Sequence, residues 1–327
     1  MPYAIQVHQT GAPENLIWEE VPLAELSPKE VRVRHTAIGV NYIDIYHRNG
    51  TYPLKTPFIP GMEAAGVIEA VGAEISQFAV GDRVAYGKGP IGAYCEYRNI
   101  NSDMLIKLPP AIDDGIAAAG LLRGLTVHFL VRKTFSISPH VTILVHAAAG
   151  GVGLLLCQWA KLLGANVIGT VSSDEKAELA KNNGCDVVIN YKKEDVLARV
   201  KKVTSGMGVN VVYDGVGRDT FFLSLDCLMP LGLLVSYGQS SGVIPAFSPQ
   251  ELQKRGSLFF TRPNLIDYVR APEDYLIAAS EFFSHLLEGS LQIHVGQTFW
   301  LNDAASAHRA LEAGTTTGST ILFPLGW

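Results

Sequence analysis

A doubly wound α/β fold is what this sequence predicts, and three observations predict it. The uncharged run Val141–Val145 leads directly into His146-Ala147-Ala148-Ala149-Gly150-Gly151-Val152-Gly153, and then into a stretch from Leu154 to Lys161 that is apolar on a helical spacing. That is strand, glycine turn and helix. From about residue 125 to 261, short apolar runs alternate with helical patterns, which implies a parallel sheet covered on both faces. Outside that segment the pattern is β-rich and broken by turns, so a second domain is expected.

In chain order, Ala4–Val7 and Val31–Ala37 alternate as half-buried strands, and Ala64–Val71 is an apolar run interrupted by Gly66 and Glu69. Ser27-Pro28-Lys29-Glu30 and Ala79-Val80-Gly81-Asp82 are turn signals, the second opening onto Arg83-Val84-Ala85-Tyr86. A small barrel or rolled sheet fits this segment. Within it, Gly39 to Pro53 carries Asn41, Tyr42, Tyr46 and Tyr52, and a helix would place Tyr42 and Tyr46 on one face. Composition alone favours ordinary packing for such tyrosines, with aromatic faces that hold a flat substrate as the other reading.

After the opening strand-turn-helix, a strand is expected at Asn166–Val171 and a helix at Asp174–Asn182. Strands at Val187–Asn190, Val209–Asp214 and Leu233–Tyr237 follow, separated by helices near Glu194–Val203 and Arg218–Cys227. Leu258-Phe259-Phe260 is the candidate last strand. Gly215-Val216-Gly217 and Gly238-Gln239-Ser240-Ser241-Gly242 fall at strand ends, where such sheets bind ligands. Two further helices, Pro272–Leu287 and Asn302–Leu311, and a strand Thr320–Phe323 are too little for a core of their own. The division expected is therefore residues 1–124 with 262–327, and residues 125–261.

Composition narrows the function. A net charge of −5 over 327 residues argues against a general nucleic-acid or anionic-membrane partner. No basic, apolar leader opens the chain and no run of about eighteen apolar residues occurs, so a soluble, cytoplasmic protein is expected. Cys95, Cys157, Cys185 and Cys227 are scattered without a C-x-x-C pair and read as reduced, buried thiols.

The glycine turn is a dinucleotide cradle, although Ala148 stands where the first glycine of G-x-G-x-x-G would be and only Gly150 and Gly153 hold their places. Glycines let the backbone approach a pyrophosphate, and the helix behind them presents unpaired N–H groups. Choice between the two nicotinamide dinucleotides rests on the tip of the second strand. Here it reads Ser172-Ser173, with Asp174 and Glu175 explained as acids in a helix's first turn. Lys176 on the same turn runs against the helix dipole, which assigns it to a phosphate, with Tyr191 in reach. NADPH is the cofactor expected.

The run from Leu144 to Lys161, with Gly39-Val40-Asn41-Tyr42-Ile43-Asp44, Arg123-Gly124-Leu125-Thr126, Tyr213 to Gly217 and Thr261-Arg262-Pro263, closely resembles quinone oxidoreductases of the zeta-crystallin type. These belong to the medium-chain dehydrogenase/reductase superfamily, and the resemblance spans nearly the whole chain. It implies a GroES-like β-rich catalytic domain beside a Rossmann-like cofactor domain, a homodimer joined through the sheet edge, and NADPH as hydride donor. Carried over by motif, the cofactor would meet Asn41, Thr126, Gly150, Gly151, Val152, Ser172, Lys176, Tyr191, Gly238, Gln239 and Ser240, while Asn41, Tyr46 and Tyr52 would shape the acceptor pocket.

Zinc-dependent alcohol dehydrogenases of the same superfamily differ at the metal. Asn41 occupies the place of a ligand cysteine, Met62 that of the metal-binding histidine, and the closely spaced structural cysteines are missing. A catalytic zinc needs three protein ligands, so a zinc-free site is expected. Gly314 stands near a place where relatives often carry a base. The leading expectation is NADPH-dependent quinone reduction that uses no titrating protein acid, with Asp44 and His47 facing solvent or capping the turn. An α,β-unsaturated carbonyl is the alternative acceptor, and a binding protein for AU-rich RNA is the alternative class.

Overall fold

The computed structural model describes residues 1–325. The chain runs through β1 (Tyr3–Gln6), β2 (Ile17–Glu20), β3 (Glu30–Val40), α1 (Tyr42–Arg48), β4 (Glu63–Val71), β5 (Arg83–Tyr86), β6 (Tyr97–Asn101) and β7 (Ile106–Lys107). Helix α2 (Asp114–Phe129) leads to β8 (Thr142–Val145), α3 (Gly151–Leu162), β9 (Asn166–Val171), α4 (Asp174–Asn182) and β10 (Val187–Asn190). Next come α5 (Val196–Val203), β11 (Val209–Asp214), α6 (Phe221–Cys227), β12 (Leu228–Ser236), α7 (Gln250–Lys254), β13 (Phe259–Thr261) and α8 (Leu265–Tyr268). The chain closes with α9 (Pro272–Leu287), β14 (Val295–Trp300), α10 (Ala304–Glu312) and β15 (Ser319–Phe323).

Two compact units result. The first holds Met1–Leu125, Ala271–Gly289 and the described residues from Ile293 onward; the second holds Thr126–Arg270 with Ser290–Gln292. The boundary expected after residue 261 therefore moves to 270. The reason is local bonding: Arg262 Nη1 donates to the carbonyls of Ser236 and Gly238, and Tyr268 stacks on Phe129 at a centroid distance of 4.4 Å. Ser290–Gln292 joins the second unit because Gln158 and Gln292 exchange hydrogen bonds of 3.0 and 2.8 Å.

The second unit is a six-stranded sheet in the order β10-β9-β8-β11-β12-β13, every pair parallel. Counted from β8, that is 3-2-1-4-5-6, the Rossmann order, and the order reverses between β8 and β11. Its strands are nearly all apolar because helices cover both faces; Leu144, Ile168, Ile189, Val212 and Leu234 form its core with Phe221 and Leu225 of α6. The first unit is a seven-stranded, largely antiparallel sheet in which β3 pairs β4, β6 and β15, with β1 and β2 as a separate antiparallel pair. The path runs from β14 to β7.

The bounds of α4, β10, β11 and α9 are those the sequence pattern predicts. By contrast, β12 begins at Leu228, ahead of the expected Leu233, because Pro230, Leu231 at φ 63° and Gly232 read as a turn, while the chain pairs with β11 on either side of them across a register shift. Strand β14 has no expectation behind it: with Gly296, Gln297 and Thr298 in six residues, its alternation is too polar to register. The helical stretch Asp114–Thr134 that α2 opens is apolar over most of its length, but it is largely buried inside the protein, which makes it a core helix.

Candidate active site

The second unit presents its glycine turns at the carboxyl ends of the strands, where the order reverses. After β8 the chain turns through Ala147 at φ 51° and Ala148, and Gly150 is the N-cap of α3. Ala148 fits in the first glycine's place because Gly169 faces it: a Cβ on Gly169 would lie 2.7 Å from the Ala148 Cβ. The sequence thus relocates one missing side chain by a strand. A Cβ on Gly153 would lie 2.3 Å from the Ala147 carbonyl oxygen, so glycine is what lets the helix start against its own turn. Gly150 is different. A Cβ there would meet the Ala147 oxygen at 3.3 Å, a close but single contact, so the turn is less crowded at Gly150 than at Gly153. The first helical donation is Leu154 N–H to the Gly150 carbonyl, which leaves the N–H groups of Gly151, Val152 and Gly153 ahead of the ladder, as anion donors must be. Thr126 lies on α2 at the start of this unit.

The turn after β11 is built around a buried acid. Asp214 Oδ1 accepts the N–H groups of Val216 and Gly217 at 2.8 and 3.0 Å, while Oδ2 accepts the hydroxyls of Thr220 and Ser224 at 2.7 and 2.8 Å. His146 bridges Ser224 (3.1 Å) and Thr170 (2.9 Å). Since Ser224 gives its only proton to Asp214, His146 Nε2 is the donor to it, and burial holds the imidazole neutral by lowering its pKa. Ser224 and His146 are buried, so this Ser-His-Asp set fastens β8, β9 and β11 and is no nucleophile. Gly238 packs backbone to backbone on Gly215, where a Cβ would lie 2.5 Å from the Gly215 oxygen, and Arg262 Nη2 donates to Gln239 Oε1 at 3.2 Å. Gly238, Gln239 and Ser240 are thereby fixed beside the β11 turn.

At the tip of β9, Ser173 caps α4 by accepting the Lys176 N–H at 3.3 Å. Asp174 accepts from Asn190 Nδ2 at 2.9 Å and Lys193 Nζ at 2.5 Å. Lys176 is half-buried; burial first, then the neighbouring charge of Lys192, lowers its pKa. Ser172 lies half-buried before the cap, and Tyr191, exposed, donates its N–H to the Val171 carbonyl. The structure thus brings Ser172, Lys176 and Tyr191 to one strand tip.

In the first unit the organising residue is Asn41. It follows β3 directly, and the pairing of Gly39 with Glu63 sets the start of β4 beside it. Asn41 Nδ2 donates to Glu63 Oε1 at 2.7 Å, and Arg123 Nη1 donates to the same oxygen at 2.9 Å. Glu63 Oε2 accepts the Leu122 N–H at 2.8 Å, and Arg123 Nη2 donates to the Val40 carbonyl at 2.6 Å. Glu63 is fully buried; burial raises its pKa, opposed by Arg123 and these donors. Gly39 makes the arrangement possible, because a Cβ there would lie 2.4 Å from Glu63 Oε1 and 2.2 Å from the Ala118 carbonyl.

Helix α1 carries the tyrosines. Tyr42 and Tyr46 have ring centroids 5.5 Å apart and Tyr46 and Tyr52 lie 5.2 Å apart, edge to face. The Tyr52 N–H donates to the Tyr46 carbonyl at 2.9 Å, which places the loop residue against the helix. Tyr46 is buried, and Tyr42 and Tyr52 are half-buried. The expectation that Asp44 and His47 face solvent or cap the turn is corrected in part: both are buried, and only Asp44 caps, accepting the Asn41 N–H at 2.9 Å. A seven-residue helix that buries five of its residues has little solvent face to offer them.

Two family models match the chain, the alcohol dehydrogenase GroES-like domain over residues 27–110 and the zinc-binding dehydrogenase over residues 151–271. A quinone oxidoreductase of Pseudomonas aeruginosa is 49% identical over 323 residues, 98% of this chain and 99% of that one. The chain belongs to the quinone oxidoreductase family. The Escherichia coli quinone oxidoreductase structure, complexed with NADPH, superposes with a TM-score of 0.96 at 45% identity, covering 98% of this chain and 100% of that one. A 2-haloacrylate reductase from Burkholderia sp. is 43% identical over 331 residues, covering 99% of each chain. The quinone oxidoreductase fold here is therefore the GroES-like and Rossmann-like pair of the medium-chain dehydrogenase/reductases. Among its described residues, no group of three or more His, Cys, Asp or Glu is placed to hold a metal. Sequence reasoning had missed the roles of Glu63, Arg123 and Asp214; a lone charge opening or interrupting an apolar run was the available signal.

Proposed function

We propose that the protein is an NADPH-dependent, zinc-independent reductase of quinones. The observation that carries this reading is the pairing of a glycine turn whose Gly151, Val152 and Gly153 N–H groups stand ahead of the α3 ladder with near full-length identity of 49% to a quinone oxidoreductase and structural likeness to one complexed with NADPH. In this reading Gly150, Gly151 and Val152 hold the pyrophosphate, Gly238, Gln239 and Ser240 line the dinucleotide with Thr126, and Ser172, Lys176 and Tyr191 take the 2′-phosphate. Asn41 serves both cofactor and acceptor, and Tyr46 and Tyr52 hold the flat acceptor by their faces. Bound NADPH supplies the hydride, and the reduced oxygen takes its proton from water or a phenol. Asn41 has a second amide N–H beyond the one given to Glu63, and it is positioned from three sides by Glu63, Asp44 and the Arg123 contact to Val40. The site's contribution is proximity and orientation. The protein acts as a cytoplasmic homodimer in this proposal, without membrane or nucleic-acid partners, in keeping with its net charge of −5. NADPH oxidation across a panel of quinones and enones tests the reading; no rate with any quinone overturns it. The 43% identity to a 2-haloacrylate reductase favours a second reading, in which the acceptor is an α,β-unsaturated carbonyl, and the same panel decides between them.

Zinc independence rests on the donor set, since Asn41 and Met62 stand where a metal site needs thiolate and imidazole. Metal analysis of the purified protein should find no stoichiometric zinc, with activity retained in a chelator. One tightly bound zinc per chain, lost together with activity, overturns it.

Tyr52 acts by position in this proposal. Tyr52→Ala should lower kcat/KM for the quinone by about two- to tenfold, the worth of one aromatic contact, while Tyr52→Phe changes little. His47→Ala should leave the pH profile in place, because burial lowers the His47 pKa away from neutrality. A pH dependence that vanishes in His47→Ala would make that histidine a general acid.

A further inference from the structure

We infer that Asp44 is a positioning residue for Asn41, joined to Tyr94 and His308 in a buried relay that couples the placement of Asn41 to the protonation of one carboxylate. The inference rests on the proposal that Asn41 serves the acceptor.

Asp44 Oδ2 accepts two hydrogen bonds, from the Asn41 N–H at 2.9 Å and from the Tyr94 hydroxyl at 3.0 Å. Tyr94 in turn lies 3.0 Å from His308 Nε2, on α10. Asp44, Tyr94 and His308 have no exposed surface. Tyr94 has one proton, and if Asp44 receives it, His308 must donate through Nε2 and is the neutral Nε2–H tautomer. Burial and the nearby Arg48 charge agree, lowering the His308 pKa to about 3. Arg48 is itself held by Glu312 at 2.6 and 2.9 Å, which fixes its guanidinium in place. The remaining groups facing Asp44 are Glu63 of β4, which opposes its ionisation, and Arg123 of α2, which favours it.

The carboxylate is only half satisfied. Its second oxygen, Oδ1, is buried and has no partner among the described side chains and backbone, and the same holds for His308 Nδ1. Burial is accordingly the dominant influence on Asp44, and it pushes the pKa up to about 7 against the pull of the two donors. An ionised carboxylate accepts the Asn41 N–H strongly; a protonated one accepts it about half as strongly. Around neutrality the hold on the residue that bonds Glu63 therefore changes, although Asp44 needs no contact with acceptor or cofactor. No proton is passed to the acceptor in this relay.

The test follows kcat/KM for 1,4-benzoquinone with saturating NADPH, from about pH 5.5 to 9 around the neutral point, alongside the NADPH Kd. The wild type should gain several-fold across neutrality while the Kd stays level. Asp44→Asn should remove the step, and Tyr94→Phe, which deletes a donor to the ionised form, should move it up by about one pH unit. A step that survives unchanged in both variants, or a flat wild-type profile, overturns the inference. Thermal unfolding supplies a readout independent of activity. A folded-state pKa raised above the unfolded value of about 3.9 means that stability is full below that value and declines as pH rises through neutrality. Asp44→Asn should therefore exceed the wild-type Tm at pH 8 and converge with it toward pH 5; a pH-independent difference counts against the relay. Should Asp44→Asn fail to fold, the shift in Tyr94→Phe decides. Absence of quinone reduction in the wild type is the failure of the functional proposal alone, since the unfolding arm still reports on Asp44.

Discussion

Arg123→Met is expected to destabilise the first unit by about 3–5 kcal/mol at pH 8, the cost of leaving a buried carboxylate without its cation. Glu63 is wholly enclosed, and Arg123 is its ion partner at 2.9 Å. Two neutral donors, Asn41 Nδ2 and the Leu122 N–H, would remain, and they do not replace a full charge. The sign of the pH dependence follows from Glu63. Burial already raises its folded pKa, and loss of Arg123 raises it further, so the variant would take up a proton on folding. Stability is then retained at low pH and lost as pH rises through the new pKa. Urea unfolding at pH 5 and pH 8 should show the larger loss at pH 8. Adding Glu63→Gln removes the stranded charge and keeps an oxygen for Asn41, so the double variant should recover much of the loss. A single variant as stable as the wild type at pH 8, or a double variant no better than the single, would show that the pair does not hold this region.

The contrast between the two units explains what the sequence made legible. In the second unit the signals are local. The turn and the first turn of α3 fall within Ala147–Leu154, Ser173 caps the helix that Asp174 begins, and β10 and β11 are short apolar-rich runs with turns on either side, β11 carrying its one charge at its last residue, Asp214. In the first unit the partners are remote: Asn41 and Glu63 are 22 residues apart, Glu63 and Arg123 are 60 apart, and Tyr94 and His308 are 214 apart. Only the register of β3 on β4, with two irregularities, brings the first pair together. A one-residue slip would have turned Glu63 to the other face. Asp44 was half legible, since an acid three places after an N-cap asparagine is a capping pattern, but nothing local announced that the cap would be enclosed. Gly314 stands in the sequence near a place where relatives often carry a base; in the structure it follows the end of α10 at φ +65°, a conformation that suits glycine and that a basic side chain would strain.

Lys176→Ala should weaken NADPH binding by roughly ten- to a hundredfold and leave NADH nearly unchanged, the worth of one charge-assisted contact to a phosphate. Acids at the tip of the second strand ordinarily take the ribose hydroxyl of NADH, and here the nearest is engaged elsewhere: Asp174 is bonded to Lys193 and Asn190. Glu175, for its part, is hydrogen-bonded to Ser173, which lowers its pKa. The lysine stands in the opposite condition. Burial and the charge of Lys192 both press its pKa down, so its ammonium is held where a cation is disfavoured, and a phosphate with up to two negative charges would reverse that balance. Gly314 adds no charge of its own, which leaves more of the discrimination to Lys176. Fluorescence titrations of both cofactors into the wild type, Lys176→Ala and Lys176→Gln, repeated at two salt concentrations, separate the possibilities. Loss confined to NADPH, and smaller at high salt, fits a phosphate contact. An equal loss for both cofactors would mean that the Lys176 side chain supports the strand tip by its packing and that the 2′-phosphate is bound by other groups.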